Sequence, residues 1–348
     1  MTAVCPPRDG GLAMIKLGGS AVTDKAVRHS FRSAEVDAFA LEMADQWRNG
    51  TLPRCAIVHG AGSFGHFEAR QYGVKHGWTG GGEESGGTGS GTGSGTGGGI
   101  DHSVLNRGVA LTRAAVVSLN GLVVGALVKA GIPAVGLSPW TIAETVAGVL
   151  GGTSGAAVVA AVDRALGLGM VPVIHGDVVA DTVQGFAILS GDTLVEVLAS
   201  GLEATTTVTF LSDVDGVYDR PPGASDSPSA RLLTTVSVLL DPGDGESGNG
   251  VEGGGGDCGM PCFSLDFGLG DDGGAWDAKT ADHDVTGGIE AKVDAAARVA
   301  IASRSRGVRV TIGSMTSGAV WAWMRGDDSD LHLCTRVVMA STDPQTDA

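Results

Sequence analysis

A lysine beside glycines is a common way for a chain to hold phosphate: backbone amides cradle the oxygens and the ammonium neutralises their charge. Three lysines here have such neighbours: Lys16 precedes Gly18-Gly19-Ser20, Lys25 follows in Thr23-Asp24-Lys25, and Lys292 follows Gly287-Gly288. The segment His59-Gly-Ala-Gly-Ser-Phe-Gly-His66 reads as a glycine loop closed by a histidine, and Gly176-Asp177 and Gly191-Asp192 add breaks that carry carboxylates. Phosphoryl transfer is mostly positioning and charge neutralisation, so it draws cations and amides from several loops. An acceptor that is itself a phosphate monoester needs no carboxylate base. Its second pKa is about 6, so it is already a dianion near neutrality. The obstacle is repulsion between two anions, and a histidine donor with backbone amides, as around His66, answers it.

Two better-known nucleotide motifs do not fit. Gly60-Ala-Gly62-Ser-Phe-Gly65 satisfies G-x-G-x-x-G after an apolar run, but a dinucleotide site also needs an acidic residue at the end of the next strand, about 20 residues on. That region is Gly/Ser/Thr/Glu low complexity. The phosphate loop G-x-x-x-x-G-K-[ST] is absent.

The elements that must carry these residues follow from periodicity. Residues 12–17, 55–59, 132–137, 170–174, 206–211 and 308–312 are short apolar runs that read as strands. Residues 34–49 have helical spacing, with Phe39, Met43 and Trp47 four apart. Residues 104–130 are long enough for one or two helices. Further helices are expected over 155–166 and 193–200, with Ser190 and Asp192 near the start of the latter, and after Lys292. Residues 320–338 are expected to finish the sheet. Continuous apolar strands alternating with helices predict an α/β fold with a largely parallel, buried sheet. Such sheets bind ligands at the carboxyl ends of their strands, where the glycine breaks fall. Residues 79–99 lack apolar side chains to bury, and about 241–280 is rich in Gly and Asp; both read as flexible insertions.

Composition sets the outer bounds. The 348 residues carry a formal net charge of −16, which argues against nucleic acid or an anionic membrane as a general partner. Any anionic substrate must therefore meet a local basic site. Hydrophobic residues make up 43% and aromatics only 5%, so the core must be aliphatic. Cysteines 5, 55, 258, 262 and 334 are odd in number and irregular in spacing, as expected of reduced thiols. No stretch offers about 18 uninterrupted apolar residues, and residues 1–10 lack the apolar segment of a signal peptide. The expected location is the cytoplasm.

Taken together, the motifs resemble the amino acid kinase superfamily. The matching segments are Lys16-Leu-Gly-Gly-Ser20, Thr23-Asp-Lys25, His59 to His66, Gly176-Asp-Val-Val179, Ile188-Leu-Ser-Gly-Asp192, Ser212-Asp-Val-Asp-Gly-Val-Tyr-Asp219, and Asp284-Val-Thr-Gly-Gly-Ile289 with Lys292. The Phe-Gly-His66 ending, with Ala69 and Tyr72-Gly73 beyond, is similar to the branch whose acceptor is a phosphate, the isopentenyl phosphate kinases and fosfomycin kinases. The resemblance implies a three-layer αβα sandwich running from residue 12 after a short tail (1–11). An acceptor-side lobe of about 12–200 would face a nucleotide-side lobe of about 204–340. It implies an ATP- and Mg²⁺-dependent homodimeric kinase making an isoprenoid precursor. Lys16 and Lys292 would bind ATP phosphates, with amides from Gly18, Gly19, Ser20, Gly62 and Gly287 and with Asp213 by the nucleotide. Lys25 would stabilise charge in transfer. Ala61, Gly62, Gly65, His66 and Gly176 would hold the acceptor phosphate, while Asp177 and Asp192 would orient the lysines or Mg²⁺. The acceptor's apolar part is expected against the helix from Val104 or around Leu137-Ser-Pro-Trp140. Two other readings stand: a kinase for another small phosphate or phosphonate, and a non-catalytic binder of nucleotide or anion.

Overall fold

The structure, a computed structural model, describes residues 11–79, 102–220, 230–240, 262–268 and 288–340. The first half of the chain runs β1 (Leu12–Leu17), α1 (Gly19–Val22), α2 (Ser33–Arg48), β2 (Arg54–His59), α3 (Gly62–Gln71), α4 (His102–Ala130), β3 (Ala134–Leu137), β4 (Glu144–Val146), β5 (Val149–Leu150), α5 (Gly152–Gly167) and β6 (Val171–His175). The second half runs β7 (Asp177–Asp181), β8 (Gly185–Leu189), α6 (Gly191–Gly201), β9 (Thr205–Ser212), β10 (Val217–Tyr218), β11 (Leu232–Leu233), β12 (Thr235–Leu240), β13 (Phe263–Asp266), α7 (Gly288–Ala302), β14 (Arg309–Ser314), α8 (Gly318–Met324) and β15 (Thr335–Met339).

Nine strands form the central sheet in the order β13-β12-β15-β14-β9-β1-β2-β6-β3. Its pairings are parallel except β12 with β13 and β14 with β15. Strand β1 sits between β2 and β9, so the chain builds outward from it first in one direction and then in the other. That reversal opens a crevice at the strand ends. Successive side chains of β1 point to opposite faces. Ala13, Ile15 and Leu17 pack with α2, α4 and α8 on one side; Leu12 and Met14 pack with α5, α6 and α7 on the other. The layers are therefore helix, sheet, helix. By the same alternation Lys16 shares the face of Met14 and rises toward α6 and α7.

The structure departs from the sequence reading in several places. Residues 62–71 are a helix, so His66 sits in its second turn and does not close a loop. Residues 177–181 and 185–189 form a hairpin in a separate four-stranded sheet, β5-β4-β7-β8. Their apolar runs are bounded by Asp177, Asp181 and Gly185, which read as breaks in the sequence. The buried Asp181 carboxylate organises them. It accepts hydrogen bonds from Thr145 Oγ1 and Gly148 N at 2.7 Å and from Gln184 N at 2.8 Å. Burial would raise its pKa, but these bonds prevail and hold it at about 2. Residues 320–338 contain α8 before β15 completes the sheet, because Val320, Trp321 and Met324 cover the face that α2 also covers. Within the second glycine-rich stretch, Phe263-Ser-Leu-Asp266 alternates and pairs with β12 as the sheet's edge strand. Residues 241–261 and 269–280 of that insertion, and residues 80–99, lie outside the described residues. Residues 104–130 belong to one helix, α4. By length and composition α4 is apolar enough to cross a membrane, but here it packs on α2, α3 and β3, with 44% of its most apolar window buried.

Trp78 and His102 flank the first insertion, and their rings stack with centroids 5.1 Å apart. Phe186 of β8 meets Trp78 edge-on, and Trp78 N donates to Gln184 O at 2.8 Å. The insertion thus leaves and re-enters the fold at one point, and loop-closure entropy changes slowly with length. Deleting residues 81–98 is expected to leave folding stability, followed by thermal and urea melts, within about 1 kcal/mol of the full chain.

Candidate active site

Three loops meet at the carboxyl ends of β1, β2 and β6, laced by backbone hydrogen bonds. Gly18 N donates to Leu211 O at 2.9 Å, Gly60 N to Leu17 O at 3.1 Å, and Gly176 N to His59 O at 2.9 Å. These three amides are spent on holding the strand ends together. Other donors face the opening. Gly19 and Ser20 begin α1 and Gly62 begins α3, so their N–H groups have no carbonyl within their own helix. The two helix starts touch: a Cβ on Gly19 would lie 3.0 Å from Gly62 Cα. Gly62 also has φ +51°, a left-handed conformation that favours glycine. Thr23 locks the junction, donating to Gly19 O at 2.7 Å and accepting from Ser63 N at 3.0 Å.

Beneath the opening lie two buried histidines at the ends of β2 and β6, their rings stacked at 5.5 Å. His59 Nδ1–H donates to Gly60 O at 2.9 Å, and its Nε2 accepts from Asn120 Nδ2 at 3.0 Å. Those partners fix the neutral tautomer. Burial first, with His175 adding, pushes the His59 pKa down to about 3. Because the peptide is trans, holding the Gly60 carbonyl against the ring turns the Ala61 N–H the other way.

The cations enter from separate elements. Lys16 is buried and its Nζ pairs with Asp192 Oδ1 of α6 at 2.8 Å. Its side chain passes so close to Gly191 that a Cβ there would lie 2.8 Å from Lys16 Cε. Lys292, from the first turns of α7, donates to Ser212 Oγ at 2.5 Å, and Ser212 Oγ donates to Asp213 Oδ1 at 3.1 Å. Burial lowers the Lys292 pKa to about 8; Asp213 opposes the shift, while Lys16 and Lys25 add to it. The Asp213 carboxyl is raised by burial but ends below its usual value, chiefly through a hydrogen bond from the Ser20 side chain. Lys25 Cε lies 3.7 Å from where a Gly19 Cβ would stand.

Lys16, Lys25, Lys292, Gly18, Gly19, Ser20, Ala61, Gly62, Gly65, His66, Gly176, Asp177, Asp192 and Asp213 all line one cleft of about 2380 Å³. A single small-molecule site is about 300–1,000 Å³, so two ligands fit side by side. Gly287 lies outside the described residues. Some members serve differently than their types suggested. Gly65 N bonds Ala61 O at 3.3 Å within α3, and its missing side chain lets α3 approach Val116 of α4. Asp177 faces no lysine: its Oδ2 takes Arg113 at 3.3 Å and Ser138 Oγ at 3.3 Å. Thr112 and Val116 of α4 line the cleft near His66, whereas Trp140 does not; it stacks over Arg113 at 4.6 Å. Thr23, Arg32 and Ser212 also line the cleft. Thr23 and Ser212 stand in segments that carry the family resemblance, though it assigns them no role, whereas Arg32 lies in none of those segments.

A β-sheet with helices on both faces, reversing at β1, with lysines and helix starts at the reversal, makes a phosphate-binding site of the α/β class. The amino acid kinase family model matches residues 12–251, and the chain belongs to that family. Within it, the similar proteins include isopentenyl phosphate kinases. The one from Arabidopsis thaliana is 33% identical over 272 residues, covering 77% of this chain and 67% of its own. The one from Methanothermobacter thermautotrophicus is 34% identical over 248 residues, covering 70% of this chain and 82% of its own. X-ray structures of isopentenyl phosphate kinase share the fold with a TM-score of 0.62 at 24% identity, over 94% of this chain and 100% of theirs.

A phosphate ligand held by Lys292 needs its ammonium form, so binding raises a pKa that stands at about 8 in the free protein. Affinity for ATP is expected to be highest near pH 7, where the terminal phosphate is ionised and Lys292 is protonated, and to fall as pH rises through about 8, with net proton uptake. Calorimetric titrations at several pH values, in buffers of different ionisation enthalpy, measure both.

Proposed function

We propose that this protein transfers the γ-phosphoryl group of ATP to isopentenyl phosphate, giving isopentenyl diphosphate and ADP. The observation that carries the proposal is the convergence of Lys16, Lys25 and Lys292 with the His66 helix on one cleft, in a chain whose relatives are named for this activity. An oxygen of the acceptor phosphate attacks Pγ, and the bond from Pγ to the bridging oxygen of ADP breaks. Lys16 and Lys292 hold the donor phosphates with the Gly19, Ser20 and Gly62 amides, and Lys25 neutralises charge as it moves. His66, with the Ala61 amide and the positive end of the α3 dipole, holds the acceptor. A unit charge pair at 4 Å is worth about 4 kcal/mol at an effective dielectric of 20, so several cations offset the repulsion between two anions. No base is required of the protein.

Among the described residues no group of three or more His, Cys, Asp or Glu side chains is placed to hold a metal ion. Mg²⁺ carried on the phosphates of ATP would neutralise charge between them, and Asp192, the partner of Lys16, is the carboxylate that would orient the lysine or the ion. The acceptor-side lobe is assigned to about residues 12–200 and the nucleotide-side lobe to about 204–340. The isoprenoid tail is assigned to the space by Thr112, Val116 and Ala69. A homodimer is supported by Val104, Leu111 and Leu122, apolar residues exposed along one stripe of α4. The cytoplasm remains the assigned location.

A panel of acceptors tests the assignment. kcat/KM for isopentenyl phosphate is expected to exceed that for fosfomycin and for carbamate; equal or higher values for either overturn it. Nucleotide binding with no turnover of any acceptor would mark a non-catalytic binder. His66→Ala is expected to lower kcat about 10²–10³-fold with little change in ATP affinity, as for loss of one preorganised donor.

A further inference from the structure

Glu68 is a carboxylate in an unusual place. It lies on α3, two residues after His66, and is 1% exposed. Burying a carboxylate is unfavourable unless it is fully paired, and here the pairing is one-sided. Oε1 accepts from Arg28 Nε at 2.9 Å, Arg28 NH2 at 2.6 Å and His29 Nε2 at 2.9 Å, while the buried Oε2 has no hydrogen-bond partner. Both partners belong to the irregular segment that carries Lys25. The same segment is fastened again to α3. His29 N donates to Ser63 O at 3.3 Å, Ser30 N donates to Ser63 Oγ at 3.1 Å, and the His29 ring stacks on Phe64 at 5.1 Å. His29 itself has φ +54°, a conformation that costs free energy in a non-glycine residue and persists only where surroundings impose it.

We propose that Glu68 is a positioning residue for phosphoryl transfer. By clamping Arg28 and His29 it fixes the Lys25 segment to the helix that bears His66, so the cation serving the transferred group and the donor serving the acceptor move as one body. This rests on the role proposed above for Lys25. A small displacement of such a group can cost up to about a hundredfold in rate. A carboxylate that only stabilised the fold would instead lower the melting temperature and leave turnover per folded molecule unchanged.

A double-mutant cycle on the full chain separates the two. Glu68→Gln, Lys25→Met and the double variant are compared by steady-state kinetics with ATP and isopentenyl phosphate, alongside thermal melts. Glu68→Gln is expected to lower kcat about tenfold or more with KM for ATP within about twofold. In the Lys25→Met background it is expected to add nothing further. Unchanged kcat in Glu68→Gln, or a loss that multiplies with that of Lys25→Met, overturns the proposal while leaving the role of Lys25 intact. Wild-type kcat in Lys25→Met removes both. If Glu68→Gln does not fold, Arg28→Gln enters the same cycle with the same expectations, since Arg28 is half exposed and its loss disturbs the core less.

Discussion

Ammonium groups gathered in one cleft repel one another, and the rest of the site is arranged around that repulsion. Burial is the main reason that Lys292 comes down to about 8, and repulsion from Lys16 and Lys25 adds to it against the opposing pull of Asp213. The fold contains the strain by bringing each cation from a different element with its own restraint. Lys16 comes from the central strand and is tied to Asp192; Lys292 comes from α7 and is tied to Ser212; Lys25 comes from a segment fastened to α3. Were the three on one flexible loop, they would swing apart into solvent. Held this way, they form a basic centre inside a chain of net charge −16. The surrounding acidity then discourages unspecific polyanions while the cleft still accepts small ones.

The central strand makes this possible. Strand β1 has β2 on one side and β9 on the other, so the residue at its end stands where the two halves of the sheet part. Period-two alternation then decides which helix layer Lys16 meets. One residue of register shift would turn it toward α2, away from Asp192. The placement of the principal cation is therefore a matter of strand register, and the buried neighbours Ile15 and Leu17 guard it.

Much of this was legible in the sequence, and the parts that were not share a cause. The buried strands are continuous apolar runs, and the glycine breaks after them mark their carboxyl ends, so the α/β layout and the lysines beside those breaks could be read directly, while the other cleft residues followed from the family resemblance. What glycine does at each position could not. Glycine is a poor helix former, so 60–66 read as a loop. In three dimensions Gly62 starts α3 and Gly65 lets it approach Val116. The partners of acids were equally hidden: Asp177 meets Arg113, 64 residues away, and Glu68 meets Arg28 and His29, 40 and 39 away. The small sheet around Asp181 was hidden because Asp177, Asp181 and Gly185 bound its strands and read as loop residues, and because a carboxylate, not apolar periodicity, holds it together.

The position of β1 also bears on how the chain comes off the ribosome. Its first neighbour, β2, follows within a few dozen residues, but its second, β9, begins only at Thr205, and Lys292 is later still. For much of synthesis, Leu12–Leu17, every residue of which is buried in the finished protein, has one open edge. Unpaired apolar edges are where nascent chains associate wrongly. Binding and folding thus share a schedule: the cleft cannot hold a nucleotide until the strand that nucleates it has been sealed from both sides. Among the strands of the central sheet that gain two neighbours, the one that waits longest for its second is β1, which carries Lys16.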